Sequence, residues 1–203
     1  MLLYNSSISG NCYKVRLVAA HLGIPLELQE VQVIDRTDPR PFLADLNPAR
    51  RVPTLVLNDG RPIAESGAII WHLAEGSRFI PKDAYERAQV LQWMFFEQYE
   101  HEPAIAVARF VITYSGHADK LGELIARKQK DGVKALAMME SHIEGRDWFV
   151  GDSMTLADVV LYAYTHVADE GGFDLGGYPA IQRWLARVAA EPGHIPIDAS
   201  LVR

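Results

Sequence analysis

The sequence of 203 residues has one cysteine, fewer positive than negative charges and no long apolar run. A single thiol excludes an internal disulfide and fits a reducing compartment. The net charge of −6 and the lack of a basic segment argue against a nucleic-acid or anionic-membrane surface. No apolar stretch approaches the ~18 residues that a membrane span needs. These absences favour a cytoplasmic globular protein that has neither nucleic acid nor membrane as a partner.

Other familiar classes of site are missing as well. The seven histidines are widely spaced, the closest pair being His101 and His117, so no metal site is predicted. Neither a Gly-x-Ser-x-Gly elbow nor a phosphate-binding P-loop occurs, which disfavours hydrolase and nucleotide-hydrolysing functions. The N-terminus lacks the basic and apolar regions of a signal peptide, because residues 5–11 are polar.

The most informative segment is the polar loop near the N-terminus. Residues 1–4 indicate a strand, and apolar residues then recur at helical spacing from Val15 to Leu22. Ser9, Asn11 and Cys12 therefore lie at or just before a helix N-terminus. Free backbone N–H groups and the helix dipole favour an anion there. Cys12 is either a thiolate with a lowered pKa or a small residue that points into the core, and we expect the second.

Two regions of different character follow one another along the chain. Residues 1–76 predict the order βαβ-α-ββα, with a parallel first strand pair and a hairpin turn at residues 58–61. From residue 84 onward helical periodicity dominates and strand patterns are almost absent. We therefore predict an α+β domain over 1–76, a linker over 77–83 and an all-α helical bundle over 84–203. Within the bundle, Pro103 must kink or break the helix that begins at Ala84.

Two short motifs in the first region have both a structural and a functional interpretation. Val52-Pro53 heads a strand, where proline is common; a cis peptide there would leave the Val52 backbone open to pair with a peptide-like ligand. Glu65-Ser66-Gly67 stands at a helix start, where Ser66 is a good N-cap. The functional interpretation is a helix N-terminus that binds a carboxylate beside a glutamate that holds an ammonium group.

A third motif, Thr155-Leu156-Ala157-Asp158, lies in the helical region. It fits a capping box ahead of an apolar run. We expect Asp158 to stabilise the start of that helix and to take no part in chemistry.

Together these segments resemble the cytosolic glutathione transferase family, of bacterial theta-, zeta-, nu- or beta-like type, over essentially the whole chain. The carriers are residues 9–16, 47–55, 63–69 and 155–158. The resemblance implies a thioredoxin-like N-terminal domain, an all-helical C-terminal domain and a homodimer. Arg50 and Arg51 stand where glycine and glutamine are common in the family, which bears on the backbone conformation of that loop.

The resemblance also implies roles for individual residues. Ser9 falls where theta- and zeta-like members place the catalytic serine and beta- and omega-like members a cysteine. Asn11 falls where nu-like members place an asparagine that faces the sulfur. Glutathione, as co-substrate, is expected to be held by Arg51, Val52, Pro53, Glu65 and Ser66. A small hydrophobic electrophile is expected between the domains, against Phe95, Gln98, Tyr99, Glu102 and Arg109.

The implied activity is activation of the glutathione thiol, with Ser9 and Asn11 as hydrogen-bond donors to the thiolate, for a role in detoxification. Two alternatives remain open from the sequence. One is a non-catalytic binding or interaction protein that kept the fold, although a scaffold has no need of both Ser9 and Asn11. The other is a glutathione-dependent thiol reductase, isomerase or dehalogenase, in which Cys12 is the reactive group.

Overall fold

The structure is a computed structural model that describes residues 1–34 and 41–199. The chain forms two compact units. The first comprises the described residues up to Gly76 together with the segment from Pro192 onward, and the second runs from Ser77 to Glu191. The predicted division assigns the whole stretch from residue 84 to the helical domain, and the structure differs in its last residues.

The first unit is a four-stranded mixed sheet with two main helices. Its elements are β1 (Leu2–Asn5), α1 (Gly10–Leu22), β2 (Glu27–Glu30), a 3₁₀ turn (Pro41–Leu43), β3 (Thr54–Val56), β4 (Pro62–Ala64) and α2 (Ser66–Ala74). The strand order is β2-β1-β3-β4, with β1 parallel to β2 and the other two pairs antiparallel. The predicted parallel pair and the β3–β4 hairpin are confirmed. Leu3, Leu17 and Leu55 are among its fully buried side chains.

The segment from Pro192 packs on α1, whose side chains donate hydrogen bonds to the backbone carbonyl groups of that segment. The Tyr13 hydroxyl donates to the carbonyl of Ile195 at 2.6 Å. The buried guanidinium of Arg16 donates to the carbonyl of Ile197 at 2.8 Å and to that of Ser7, in the loop after β1, at 3.3 Å. A buried guanidinium needs such acceptors, which explains why the C-terminal segment belongs to the first unit.

The start of α2 differs from the prediction in one respect. Ser66 was expected as the N-cap, but it is the first helical residue, and Glu65 is the N-cap. Glu65 has a φ of 67° and its side chain makes no capping hydrogen bond. The Ser66 hydroxyl instead donates to Oδ1 of Asn11 at 3.0 Å.

The second unit is all-helical. Its elements are α3 (Ala84–Phe96), a π-helical segment (Glu97–His101), α4 (Glu102–Thr113), a 3₁₀ turn (Ala118–Lys120), α5 (Gly122–Ile143), α6 (Leu156–Thr165), a second 3₁₀ turn (Ala168–Gly171) and α7 (Pro179–Ala190). Pro103 lies in the first turn of α4. Proline lacks the N–H that would continue α3, and the wider π turn accommodates this without a loop. The α+β unit followed by an all-helical unit confirms the predicted fold class.

Asp158 organises the interior of the helical unit. Its fully buried carboxylate accepts from the backbone N–H groups of Phe149 (3.0 Å) and Thr155 (2.8 Å), and from Trp184 Nε1 (3.0 Å). The Thr155 hydroxyl donates to it as well, at 3.1 Å. Burial raises the pKa of Asp158 to about 6, and these hydrogen bonds oppose that rise. The carboxylate is therefore ionised at neutral pH, as a site made only of donors requires, and the predicted capping role is confirmed.

No helix in the described part of the chain is long and apolar enough to cross a bilayer.

Replacing Asp158 by alanine should lower the free energy of unfolding by about 3–5 kcal/mol, because several buried donors lose their acceptor at once. Chemical denaturation measures this loss. The matched control is Asp152→Ala. Asp152 lies on the exposed turn before α6, the helix that contains Asp158, and its replacement should change stability by less than about 0.5 kcal/mol. A loss near 1 kcal/mol for the Asp158 variant would contradict the assigned role.

Candidate functional site

The loops that carry the three predicted motifs of the first unit meet at one end of its sheet. Tyr4 of β1 pairs with Thr54 of β3, and Thr54 pairs with Ala64 of β4. The loop after β1, the turn before β3 and the start of α2 after β4 are therefore neighbours. Register alone thus brings together motifs that are distant in sequence.

Ser9 is the N-cap of α1. Its backbone is extended, with φ −84° and ψ 120°, and its Oγ accepts from the Cys12 N–H at 3.3 Å. This hydrogen bond satisfies one of the backbone donors that a helix start leaves open. Ser9 and Asn11 are half-buried, so both side chains border on solvent at the positive end of α1.

Asn11 joins the first turns of the two helices. Its Oδ1 accepts from Lys14 Nζ at 2.8 Å and from the Ser66 hydroxyl at 3.0 Å. An ammonium group has no acceptor, so the oxygen of the amide must be the atom that faces Lys14. Both lone pairs of Oδ1 are then used, and the Nδ2 donors lie on the other branch of the amide. The structure thus brings Asn11 and Ser66 together, as the predicted site requires.

Cys12, the residue after Asn11, lies in the interior of the first unit. Its side chain is fully buried, and its Sγ accepts from the Ser6 N–H at 3.3 Å. Burial raises the pKa of the Cys12 thiol to about 11, although hydrogen bonds from Ser9 and Ser6 oppose the rise. The thiol is therefore protonated at physiological pH. The prediction that Cys12 is a small inward-facing residue is confirmed.

The loop before β3 contains a cis peptide bond between Val52 and Pro53. Asn47, which is buried, holds this loop: its Nδ2 donates to the carbonyl of Arg51 at 3.0 Å and to Thr54 Oγ1 at 3.1 Å. Thr54 Oγ1 donates to the same Arg51 carbonyl at 2.8 Å. These hydrogen bonds hold the Arg51 carbonyl in place, while the Arg51 side chain is exposed. The sequence alone indicated no role for Asn47 and Thr54, although both lie within residues 47–55, one of the segments that carry the family resemblance.

Arg50 adopts the left-handed backbone conformation, with a φ of 51°. This is the position where glycine is common in the family that the sequence resembles. The loop therefore keeps the conformation that glycine adopts freely, despite the Cβ of an arginine. Such a conformation costs an L-residue roughly 1–2 kcal/mol; the hydrogen bonds of Asn47 hold the loop on either side of Arg50.

Glu65 is a stronger backbone outlier, because φ 67° and ψ 120° combine in a region that residues with a Cβ rarely adopt. Strain of about 1–3 kcal/mol is typical of such residues, which cluster at ligand sites. The effect here is to begin α2 abruptly: the carbonyl of Glu65 accepts from the Ile69 N–H at 3.0 Å. The side chain of Glu65 caps none of the backbone N–H groups in the first turn of α2. The dipole and these donors together suit a carboxylate.

The candidate residues of the helical unit fall into two groups. Phe95, Gln98 and Tyr99 are exposed, and Glu102 is half-buried. Arg109 is buried: its Nε donates to Glu170 at 2.8 Å as part of an ion pair. This guanidinium is thus buried and paired, and its predicted contact with an electrophile stays a prediction. The described residues hold no group of three or more His, Cys, Asp or Glu side chains that could bind a metal ion.

Comparison with known proteins matches both units. The model of the glutathione S-transferase N-terminal domain matches residues 8–75, and that of the C-terminal domain matches residues 103–192. Glutathione S-transferase 2 of Anopheles gambiae is 30% identical over 194 residues, which cover 91% of this chain and 88% of that protein. The chain belongs to the glutathione S-transferase family.

Other relatives of this glutathione S-transferase family member extend the comparison. A crystal structure of a glutathione S-transferase from Pseudomonas fluorescens Pf-5 is 48% identical, with a TM-score of 0.92 and coverage of 97% of this chain and 98% of that one. The disulfide-bond oxidoreductase YfcG of Escherichia coli K12 is 25% identical over 191 residues, which cover 90% of this chain and 87% of that protein. The family around this chain therefore includes more than one activity.

Cys12 should resist alkylation in the native protein, because the buried thiol is protonated and out of reach of the reagent. Mass spectrometry after iodoacetamide treatment near neutral pH should show no modification until denaturant is added. Rapid modification of the folded protein would contradict the assignment.

The raised pKa of Cys12 also predicts a pH dependence. The contribution to stability of a thiol whose pKa rises from 9.0 to about 11 on folding is complete below pH 9 and disappears as the pH rises through about 11. Cys12→Ala should therefore lose less stability than the wild type over this alkaline range. Denaturant titrations at several pH values measure the difference, and parallel curves would refute it.

Proposed function

We propose that this chain is a glutathione transferase that activates the thiol of glutathione for attack on a small hydrophobic electrophile. The observation that carries the proposal is the hydrogen bond between Ser66 and Asn11. It links a helix start suited to a carboxylate with an amide suited to a thiolate. A γ-glutamyl tripeptide carries both of these groups, a short distance apart.

The peptide part of glutathione is held by the loop before β3 and by the start of α2. The Val52 backbone, next to the cis peptide bond, pairs with the cysteinyl backbone of the ligand. The γ-glutamyl carboxylate lies on the backbone N–H groups of Ser66 and the residue after it, since the Ser66 hydroxyl is engaged by Asn11. Glu65, which is exposed, neutralises the ammonium group, and the exposed side chain of Arg51 reaches a ligand carbonyl or carboxylate.

The sulfur of glutathione faces Ser9 and Asn11. A serine hydroxyl is too weak a base to take the thiol proton, so the proton leaves to solvent and Ser9 donates a hydrogen bond to the thiolate. A free thiol titrates near ~8.5, and the environment of a helix N-terminus lowers such values. A decrease of about two units, or ~2.7 kcal/mol, makes the thiolate the major form at neutral pH. The thiolate then forms a carbon–sulfur bond as the leaving group departs with its electron pair.

A second candidate activity is reduction of disulfides with glutathione, which the relative named as a disulfide-bond oxidoreductase favours. In this chain the burial and raised pKa of Cys12 argue against a mechanism that uses the protein's own thiol. The bound glutathione thiolate is then the attacking group in either reaction. A non-catalytic member of the family remains the third possibility, with binding of glutathione and no turnover.

Conjugation of glutathione to a chloronitroaromatic substrate tests the proposal. Ser9→Ala and Asn11→Ala should each lower kcat/KM by about 10- to 100-fold, and the double variant further, because each removes a donor that acts on the developing thiolate. The control is Ser7→Ala, an exposed serine of the same loop, which should leave kcat/KM unchanged. Conjugation that survives in the double variant would refute the roles of Ser9 and Asn11.

The same preparations separate the alternatives. Binding of glutathione by calorimetry without conjugation or disulfide exchange would favour the non-catalytic member. Disulfide exchange that Cys12→Ser abolishes would reinstate Cys12 as the reactive group.

We assign the contacts with the electrophile to Phe95, Gln98, Tyr99 and Glu102 of the helical unit. We also expect a cytoplasmic homodimer. Phe95 and Tyr99 are 68% and 81% exposed, and such large apolar side chains at a spacing of four residues form one patch. Tyr99→Ala should raise KM for a hydrophobic electrophile several-fold while KM for glutathione stays constant. Met138→Ala, exposed on α5, is the control.

Light scattering on the Tyr99 variant checks the interpretation. A dimer that persists supports a substrate contact at Tyr99. A monomer would assign this patch to the subunit interface instead, and the proposed electrophile contact would be wrong.

A further inference from the structure

Lys14 is a buried cation in the first turns of α1. Its side chain is only 1% exposed, yet lysine is almost never fully buried without a partner because desolvation of an ammonium group costs several kcal/mol. The Nζ lies 2.8 Å from Asn11 Oδ1. The two residues are three positions apart, so they share one face of the helix. The charge of Lys14 is thus in contact with the Asn11 amide, which borders the proposed position of the sulfur.

The contact determines which way the Asn11 amide faces. A thiolate needs donors, and an amide that turned its oxygen toward the sulfur would repel it. Lys14 and Ser66 both donate to Oδ1, so turning the amide over would set its NH₂ group against two donors and leave them without their acceptor. Lys14 supplies the stronger of these restraints, because a charged donor makes roughly twice as strong a hydrogen bond as a neutral one.

The charge of Lys14 also acts on the sulfur through space. Among the described residues, the charged groups near the first turns of α1 include both signs: Arg16 on the same helix, Glu30 at the end of β2 and the exposed Glu65 before α2. The guanidinium of Arg16 is occupied by backbone carbonyl groups on the side of the C-terminal segment. Lys14 is in hydrogen-bond contact with Asn11, a proposed ligand of the sulfur, and burial reduces the screening of its field.

We propose that Lys14 is a positioning residue for the glutathione thiolate: it fixes the Asn11 amide with its NH₂ group toward the sulfur and lowers the pKa of the bound thiol. The inference rests on the proposed function, because it concerns the same sulfur site. Lys14 itself does not touch the substrate. Its role is to make Asn11 a better oriented and more strongly polarised donor.

The test is the pKa of enzyme-bound glutathione, measured from the ultraviolet absorbance of the thiolate as a function of pH. Lys14→Met removes donor and charge; it should raise the bound thiol pKa by about one unit and lower kcat/KM near neutral pH about tenfold. The loss should shrink at alkaline pH, where the thiolate forms in any case. A purely structural lysine would not shift the pH profile.

Two further variants separate charge from orientation. Lys14→Gln keeps a donor for Asn11 without the charge and should give an intermediate pKa, whereas Lys14→Arg keeps both and should restore most of the wild-type profile. Lys130→Met, an exposed lysine on α5, is the matched control and should leave the profile unchanged. If Lys14→Met does not fold, as judged by thermal unfolding, the comparison of Lys14→Gln with the wild type decides.

The outcomes distinguish this inference from the function on which it rests. A folded Lys14 variant that binds glutathione with the wild-type thiol pKa overturns the inference and leaves the proposed transferase intact. Wild-type protein that binds glutathione with the pKa of the free thiol overturns both. A shift in the Lys14 variants alone, with no change in Lys130→Met, supports the inference.

Discussion

The proposed site depends on the amide oxygen of Asn11, where donors from two helices converge. Asn11 and Ser66 are 55 residues apart in sequence, and a hydrogen bond between their side chains joins the first turns of α1 and α2. Sheet register brings these turns to the same edge, but register alone leaves side chains free to rotate. The shared oxygen removes that freedom. Catalytic groups need supporting contacts that fix their position, because a displacement of about an ångström lowers the reaction rate substantially.

The parts of the fold that follow from local signals were predictable. The C-cap of α1 lies at Gly23, in the left-handed conformation that its residue type permits. The β3–β4 hairpin and the capping role of Asp158 likewise depend on residues that are close in sequence. The motifs of the site could be found in the same way, and the resemblance to a known family was needed to connect them. Pattern alone left their structural and functional interpretations both open.

The remaining features could not be predicted because their causes are distant in sequence or specific to the backbone. Ser66 looks like an N-cap, but it is the first helical residue, and its hydroxyl donates to Asn11, a partner that is distant in sequence. Lys14 looks like a residue of a solvated helix face, since burial of a cation depends on partners that periodicity does not reveal. Glu65 and Arg50 have positive φ angles although their residue types do not favour them. A residue code carries no sign of strain imposed by its neighbours.

The hydrogen bonds of the C-terminal segment have a consequence for the order in which the chain can fold. The carbonyl of Ile197, which accepts from Arg16, lies 181 residues further along the chain. A ribosome delivers the strands and helices of the first unit before the whole helical unit, and domains generally fold in that order. Here the earlier unit lacks an acceptor for its buried guanidinium, the Ile197 carbonyl, until the helices of the second unit have been synthesised. The unit that is made first is thus the last to be completed.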